Sequence, residues 1–190
     1  MYVASLIRAH IFGLPPDMIF STRDLLHFGR RSAVDQTLYR LVKSGFIVRV
    51  ARGLFIRDGS AILSTAEVAA AKAKAFGRKI ISHGLDAAHA MGLVANGNSH
   101  PVFSTDGHST SFQFGCVRIE LKQICPRKML LGESTVGLLI RGMWILGPSG
   151  IDAKMLRRTM ARLRRSDHDQ LMASARYMPA WIWQLFMFRR

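Results

Sequence analysis

Residues 21–57 read STRDLLHFGRRSAVDQTLYRLVKSGFIVRVARGLFIR, and the order of signals in them sets the fold of the first third of the chain. Ser21 followed three residues later by Asp24 is a capping-box pattern, which satisfies orphan N–H groups where a helix starts. It predicts a short helix from Thr22 to about His27, with Phe28-Gly29 as the turn, since glycine accepts the positive φ of a tight corner. From Arg30 to Ser44 the apolar residues Val34, Leu38, Leu41 and Val42 recur at the spacing of one helix face. Gly45 is placed to close that helix in the left-handed conformation. Two β-rich runs follow, 46–50 and 54–57, joined by a glycine turn at 51–53. Helix, turn, helix and hairpin in that order predict a winged helix-turn-helix.

A helix fits the major groove of B-DNA, where base edges distinguish all four base pairs. The second helix is the natural reader: Ser32, Gln36, Tyr39, Arg40 and Lys43 face away from its apolar stripe, and Arg30 and Arg31 stand at its entrance. The N-terminal residues of such a helix touch bases, which assigns Arg31, Ser32 and Gln36 to base edges. Arg40, Lys43, Arg49 and Arg52 are placed to neutralise phosphates. A protein-binding winged helix with merely solvated charges is the plainer alternative. The basic turn, the basic wing and a lone acid, Asp35, on the second helix favour double-stranded DNA.

Charge points the same way. Lys and Arg number 27 against 12 acids, giving +15 and a pI near 11.2, a surplus that favours a polyanionic partner through counterion release. The excess is spread out, with nine basic against four acidic residues in 1–60, nine against five in 61–150 and nine against three in 151–190. Cys116 and Cys125 fit no CxxC pattern and suggest a reducing, cytoplasmic setting. Arg8 and His10 interrupt the apolar residues of 1–12, against a signal peptide, and no stretch reaches the length of a membrane span.

Outward from the reader, Val3, Leu6, Ile7 and His10 predict a helix over 1–11 beneath it, ended at Gly13-Leu14-Pro15-Pro16, and a short strand over 18–20 beside the wing. A boundary near Gly59-Ser60 gives two domains, 1–60 and 61–190, and an α+β fold whose second part mixes helices with an antiparallel sheet. The expected elements there are a helix from Thr65 to about Phe76, a brief apolar strand or helix entry at 79–82 and a helix from Leu85 to Met91 closed by Gly92. A loop over 96–101 precedes a strand at 102–105, a hairpin turn at Asp106-Gly107 and one or two strands over 110–124, with Gly115 as a bulge. Ser134 to Leu146 reads as a buried helix. Ser149 with Asp152 then caps a helix whose Leu156, Met160 and Leu163 form an apolar stripe opposite Lys154, Arg157, Arg158, Arg162 and Arg165. That basic face is either plainly solvated or a contact for an acidic protein or DNA backbone. Ser166 with Asp169 caps a short helix to about Tyr177, and the apolar helix from Pro179 through Phe188 docks on its own domain, with a protein interface as the alternative.

The histidines invite a catalytic reading that the spacing does not support. His83, Asp86 and His89 stand at i, i+3 and i+6, not the i, i+4 pair of a zinc helix, and Ser104, Asp106 and His108 lack a nucleophile elbow. No catalytic residue, metal or cofactor is assigned.

The run from Leu38 to Ile47 with the Arg52-Gly53-Leu54-Phe55 wing resembles the N-terminal domain of the AbiEi family of antitoxins. Residues 86–93, the hairpin after them, and Met178-Pro179-Ala180-Trp181 are similar to that family's C-terminal part. Phe55 stands where the family often has Tyr. The resemblance implies a winged-helix autorepressor of a two-gene type IV toxin–antitoxin operon, whose C-terminal domain counters a nucleotidyltransferase-like toxin. The residues by themselves leave two alternatives: an ordinary winged-helix transcription factor with a ligand-binding or dimerisation domain, and a DNA-acting enzyme.

Overall fold

The computed structural model describes residues 2–57, 59 and 61–187 and is α+β. Ser60 of the expected boundary and Phe188 of the last helix lie outside the described residues. The chain separates into two compact units. Met1–Lys79 with Ser111–Glu120 form the first, and Ile80–Thr110 with Leu121–Arg190 form the second.

In the first unit α1 (Val3–Gly13) buries Ile7 and Ile11, and a two-residue strand β1 (Phe20–Ser21) leads into the capped segment. The capping box forms as the sequence implies: the Ser21 N–H donates to Asp24 Oδ2 at 2.8 Å, and the Asp24 N–H donates to Ser21 Oγ at 3.3 Å. The helix it starts, Thr22–Phe28, is 3-10 rather than α. Gly29 is not the left-handed residue expected there; its φ of 169° is extended backbone. Its lack of a side chain serves packing instead, because a Cβ would stand 3.0 Å from a methyl of Val3.

Helix α2 (Arg31–Lys43) follows, burying Val34, Thr37, Leu38 and Leu41. Gly45, at φ 72°, ends it in the left-handed region where L side chains are strained. Strands β2 (Val48–Ala51) and β3 (Leu54–Ile56) pair antiparallel across a turn that holds Gly53 at φ 78°. β1 pairs the other edge of β3, Phe20 opposite Phe55, so the sheet order is β1-β3-β2. Ile7, Ile11, Leu25, Val34, Leu38 and Ile47 form the core between helices and sheet. Each such burial stabilises by roughly 1.5–3 kcal/mol. Helix α3 (Thr65–Lys74) closes this part, started by a Ser64–Glu67 capping box.

The second unit is helical around a sheet. From Ile80 onward the elements in order are β4 (Ile80–Ser82), α4 (Gly84–Ala90), β5 (Val102–Thr105), β6 (Thr110–Phe114) and β7 (Val117–Gln123), whose residues 111–120 belong to the first unit, and α5 (Pro126–Met129). After them come α6 (Thr135–Leu146), α7 (Ala153–Met160), α8 (Arg165–Ala173) and α9 (Ala180–Met187). Strand order is β4-β5-β7-β6, with β4 and β5 antiparallel. Because β7 lies between β5 and β6, Asp106-Gly107 does not make the expected hairpin between neighbours; that chain crosses to the sheet edge. Gly115, at φ 56°, is no bulge either but turns the chain with Cys116 between β6 and β7.

The caps of the later helices also differ from expectation. Asp152, not Ser149, starts α7 by accepting the Met155 N–H at 2.7 Å. Asp167, rather than Ser166 with Asp169, starts α8 by accepting the Arg164 N–H at 2.8 Å. Helix α6 packs so closely on α4 that a Cβ on Gly142 would stand 2.8 Å from Ala88 Cα. Val136, Leu139, Ile140 and Met143 of α6, with Leu156, Leu171 and Ile182, are its core, and Trp181, Trp183, Leu185 and Phe186 of α9 pack against it.

Candidate nucleic-acid interface

The burial of α2 divides the helix. Val34, Leu38 and Leu41 face the core, while Arg31, Ser32, Gln36, Tyr39, Arg40 and Lys43 are exposed, Tyr39 at 66%. Arg30, just before the helix, and Arg49 and Arg52, on β2 and its turn, are exposed as well. The structure thus places the whole set singled out in the sequence on the solvent side of one unit.

Two features of this face were not legible in the sequence. Arg31 Nε pairs with Asp35 Oδ2 at 2.8 Å, both side chains more than half exposed, so the lone acid of α2 holds one of its entrance arginines. The hairpin turn is braced by α3: Lys72 Nζ donates to the Arg52 carbonyl at 2.6 Å. Partial burial, and then the charges of Arg52 and Arg49, push the Lys72 pKa below its ordinary value. An Ala-rich helix reads as solvated surface, and nothing in its periodicity announces that one lysine reaches back twenty residues.

The second basic set is less unified. Lys154, Arg157, Arg158, Arg162 and Arg165 are all exposed, but α7 ends at Met160, so Arg162 lies in the following turn and Arg165 opens α8. Arg162 leans on the backbone of Gly92, where a Cβ would meet its guanidinium at 3.1 Å.

The histidine motif resolves as loop support. His83 Nδ1 accepts the Leu85 N–H at 3.3 Å at the start of α4 and lies 3.0 Å from the Asn98 amide. Asp86 accepts from Asn98 twice, from the backbone at 2.7 Å and from the amide at 2.8 Å. Asn98, invisible to spacing arguments, ties the loop to the helix. Burial first, and then Lys122, lowers the His83 pKa, with Asp86 opposing. His89 is exposed and 3.4 Å from the Val94 carbonyl. Ser104 is buried on β5, whereas Asp106 and His108 are exposed.

Sequence reading also missed a buried arginine. Arg141, only 3% exposed, donates to the Ser82 carbonyl, to Ser82 Oγ at 3.1 Å and to Glu133 Oε1 at 3.2 Å. Burial pulls its pKa down, and Glu133 pulls it up.

Fold and face together define a small α+β protein that presents a basic helix and an adjoining basic hairpin. The chain belongs to a family of unknown function, DUF6088, whose model matches residues 7–171. No curated protein matches it. Among the described residues, no helix is long and apolar enough to cross a membrane.

Proposed function

We propose that this protein is a duplex-DNA-binding regulator whose first unit is a winged helix-turn-helix and whose α2 reads the major groove. The observation that carries the reading is the division of α2: its apolar side is spent on the core, and six polar or cationic side chains point the other way. The 3-10 helix before α2 and the β2–β3 hairpin after it supply the flanking parts of that motif, with Arg49 and Arg52 on the wing for phosphates. Arg31, Ser32 and Gln36, on the first turns of α2, are the base readers, and Arg30, Tyr39, Arg40 and Lys43 hold the backbone.

The biological role we assign is that of an antitoxin that represses its own operon and whose second unit counters a nucleotidyltransferase-like toxin. The likeness of residues 38–47, 52–55, 86–93 and 178–181 to AbiEi antitoxins supports it. A selection from random duplexes tests the reading. Gln36→Ala relaxes the preference at one base position, by about 1–3 kcal/mol for a bidentate contact. Unchanged preference at every position rejects α2 as the reader.

A further inference from the structure

We infer that the first unit carries a second phosphate grip, built on the ring of Phe76, that holds the backbone of the same duplex. The inference rests on the DNA-binding reading above and adds a site to it. Phe76 is 45% exposed, yet its ring is ringed by cations. The Arg23 guanidinium lies 4.2 Å from its centroid, that of Arg78 5.5 Å, and the Lys72 ammonium 5.7 Å. They arrive from separate elements, Arg23 from the 3-10 helix, Lys72 from α3 and Arg78 from the turn after it.

The approach of Arg23 to this ring is not explained by its own stability. An exposed cation over an aromatic ring gains little, while like charges brought together repel. The crowding extends to the hairpin, since Lys72 holds the Arg52 carbonyl and its charge is disfavoured first by burial and then by Arg52 and Arg49. A polyanion relieves such a cluster, because each neutralised phosphate releases condensed counterions. The ring has a definite part in this. A guanidinium laid flat on an aromatic face keeps its in-plane N–H donors directed outward, in the fork that matches phosphate oxygens. Arg23 is exposed and holds its guanidinium carbon 4.2 Å from the ring centroid. It belongs to the helix that precedes α2 in the motif, the element that crosses the DNA backbone when the next helix enters the groove. The Phe76 group is therefore a backbone contact for the strand flanking the groove that α2 reads.

Fluorescence anisotropy of the full chain on a random-sequence duplex, repeated across a salt series, tests this. Arg23→Ala and Arg78→Ala each lower the magnitude of the slope of log affinity against log salt by about 0.9, weakening all sequences alike. Arg23→Lys, which keeps the charge, restores the slope, and thermal melting shows that the variants are folded. Wild-type slopes in both alanine variants, beside a lowered slope in Arg52→Ala, overturn the Phe76 grip while leaving the α2 reading in place. Loss of binding to an acidic polypeptide with unchanged duplex binding also overturns it. Absence of duplex binding by the wild type at low salt brings down the DNA reading and the grip together.

Discussion

Asp35 is the most informative residue to change, because the structure separates its effect on folding from its effect on binding. Its ion pair with Arg31 is exposed on both sides, 62% and 51%. It also runs in the weaker order for a helix, with the cation N-terminal to the acid, against the dipole. Asp35→Asn therefore costs at most about 0.3–0.5 kcal/mol of stability. On the proposed DNA face the same change removes the one negative charge of α2 and releases Arg31. If the freed guanidinium reaches a phosphate, the salt slope steepens by about 0.9. Between about 50 and about 200 mM salt, the variant's advantage over wild type then shrinks by about 3.5-fold. Discrimination falls at the same time, since Arg31 is no longer held in one orientation at the start of the reader. Anisotropy titrations at the two salt concentrations, on a selected and on a random duplex, measure both effects. A variant with unaltered melting, unaltered slope and unaltered preference shows that Arg31 and Asp35 do not face a duplex, and the orientation assigned to α2 fails.

Three further expectations concern the second unit. Gly142→Ala places a methyl 2.8 Å from the Ala88 backbone, so overpacking of α6 on α4 lowers stability by about 1–3 kcal/mol in a denaturant melt. Glu133→Ala leaves the buried Arg141 charge without its carboxylate and destabilises more than Arg141→Met, which removes the buried charge itself; the reverse order in the same melts shows that the pair is not the source of the cost. His83 has a folded pKa below its ordinary value of 6.5, so the unfolded chain binds the proton more readily. The stability it contributes is full above that value and is lost as pH falls below it. His83→Asn, which retains an N-cap acceptor, flattens the acid side of the stability profile relative to wild type.

How much of this was legible in the sequence depends on the range of the interaction. The 3-10 helix, α2 and the hairpin are set by local signals: Ser21 with Asp24, the stripe through Val34, Leu38 and Leu41, and the glycines at 45 and 53. Those appear in the structure within a residue or two of where spacing puts them. Gly29 shows the limit, because its reason is the side chain of Val3, twenty-six positions away, and no local rule contains that contact. The order β4-β5-β7-β6 is hidden for the same cause: strand patterning says which residues alternate, not which strand inserts between two others. On the candidate face, exposure of the cationic residues followed from the helical period. Their restraints did not, since the Lys72 to Arg52 brace and the approach of Arg23 to Phe76 each join residues twenty or more positions apart.

The start of α2 joins these observations into one argument. Ser64 caps α3, Ser134 caps α6, Asp152 caps α7, and Asp167 supplies an acceptor where α8 begins, whereas α1 and α5 start with neither a side-chain cap nor an acid in the first turn. Helix α2 begins at Arg30 with no side-chain cap and no acid in its first turn, and its first residue is another arginine. A missing cap costs about 0.5–2 kcal/mol, and a cation at the positive end of the helix dipole costs about 0.3–1 kcal/mol more. Serine or aspartate at position 30 would remove most of that cost. Val34, Leu38 and Leu41 are buried deeply enough to offset it. The stability of α2 therefore comes from its inner face, and this leaves its entrance free to carry positive charge. Arg30 and Arg31 stand where the first backbone N–H groups of α2 have no side-chain acceptor.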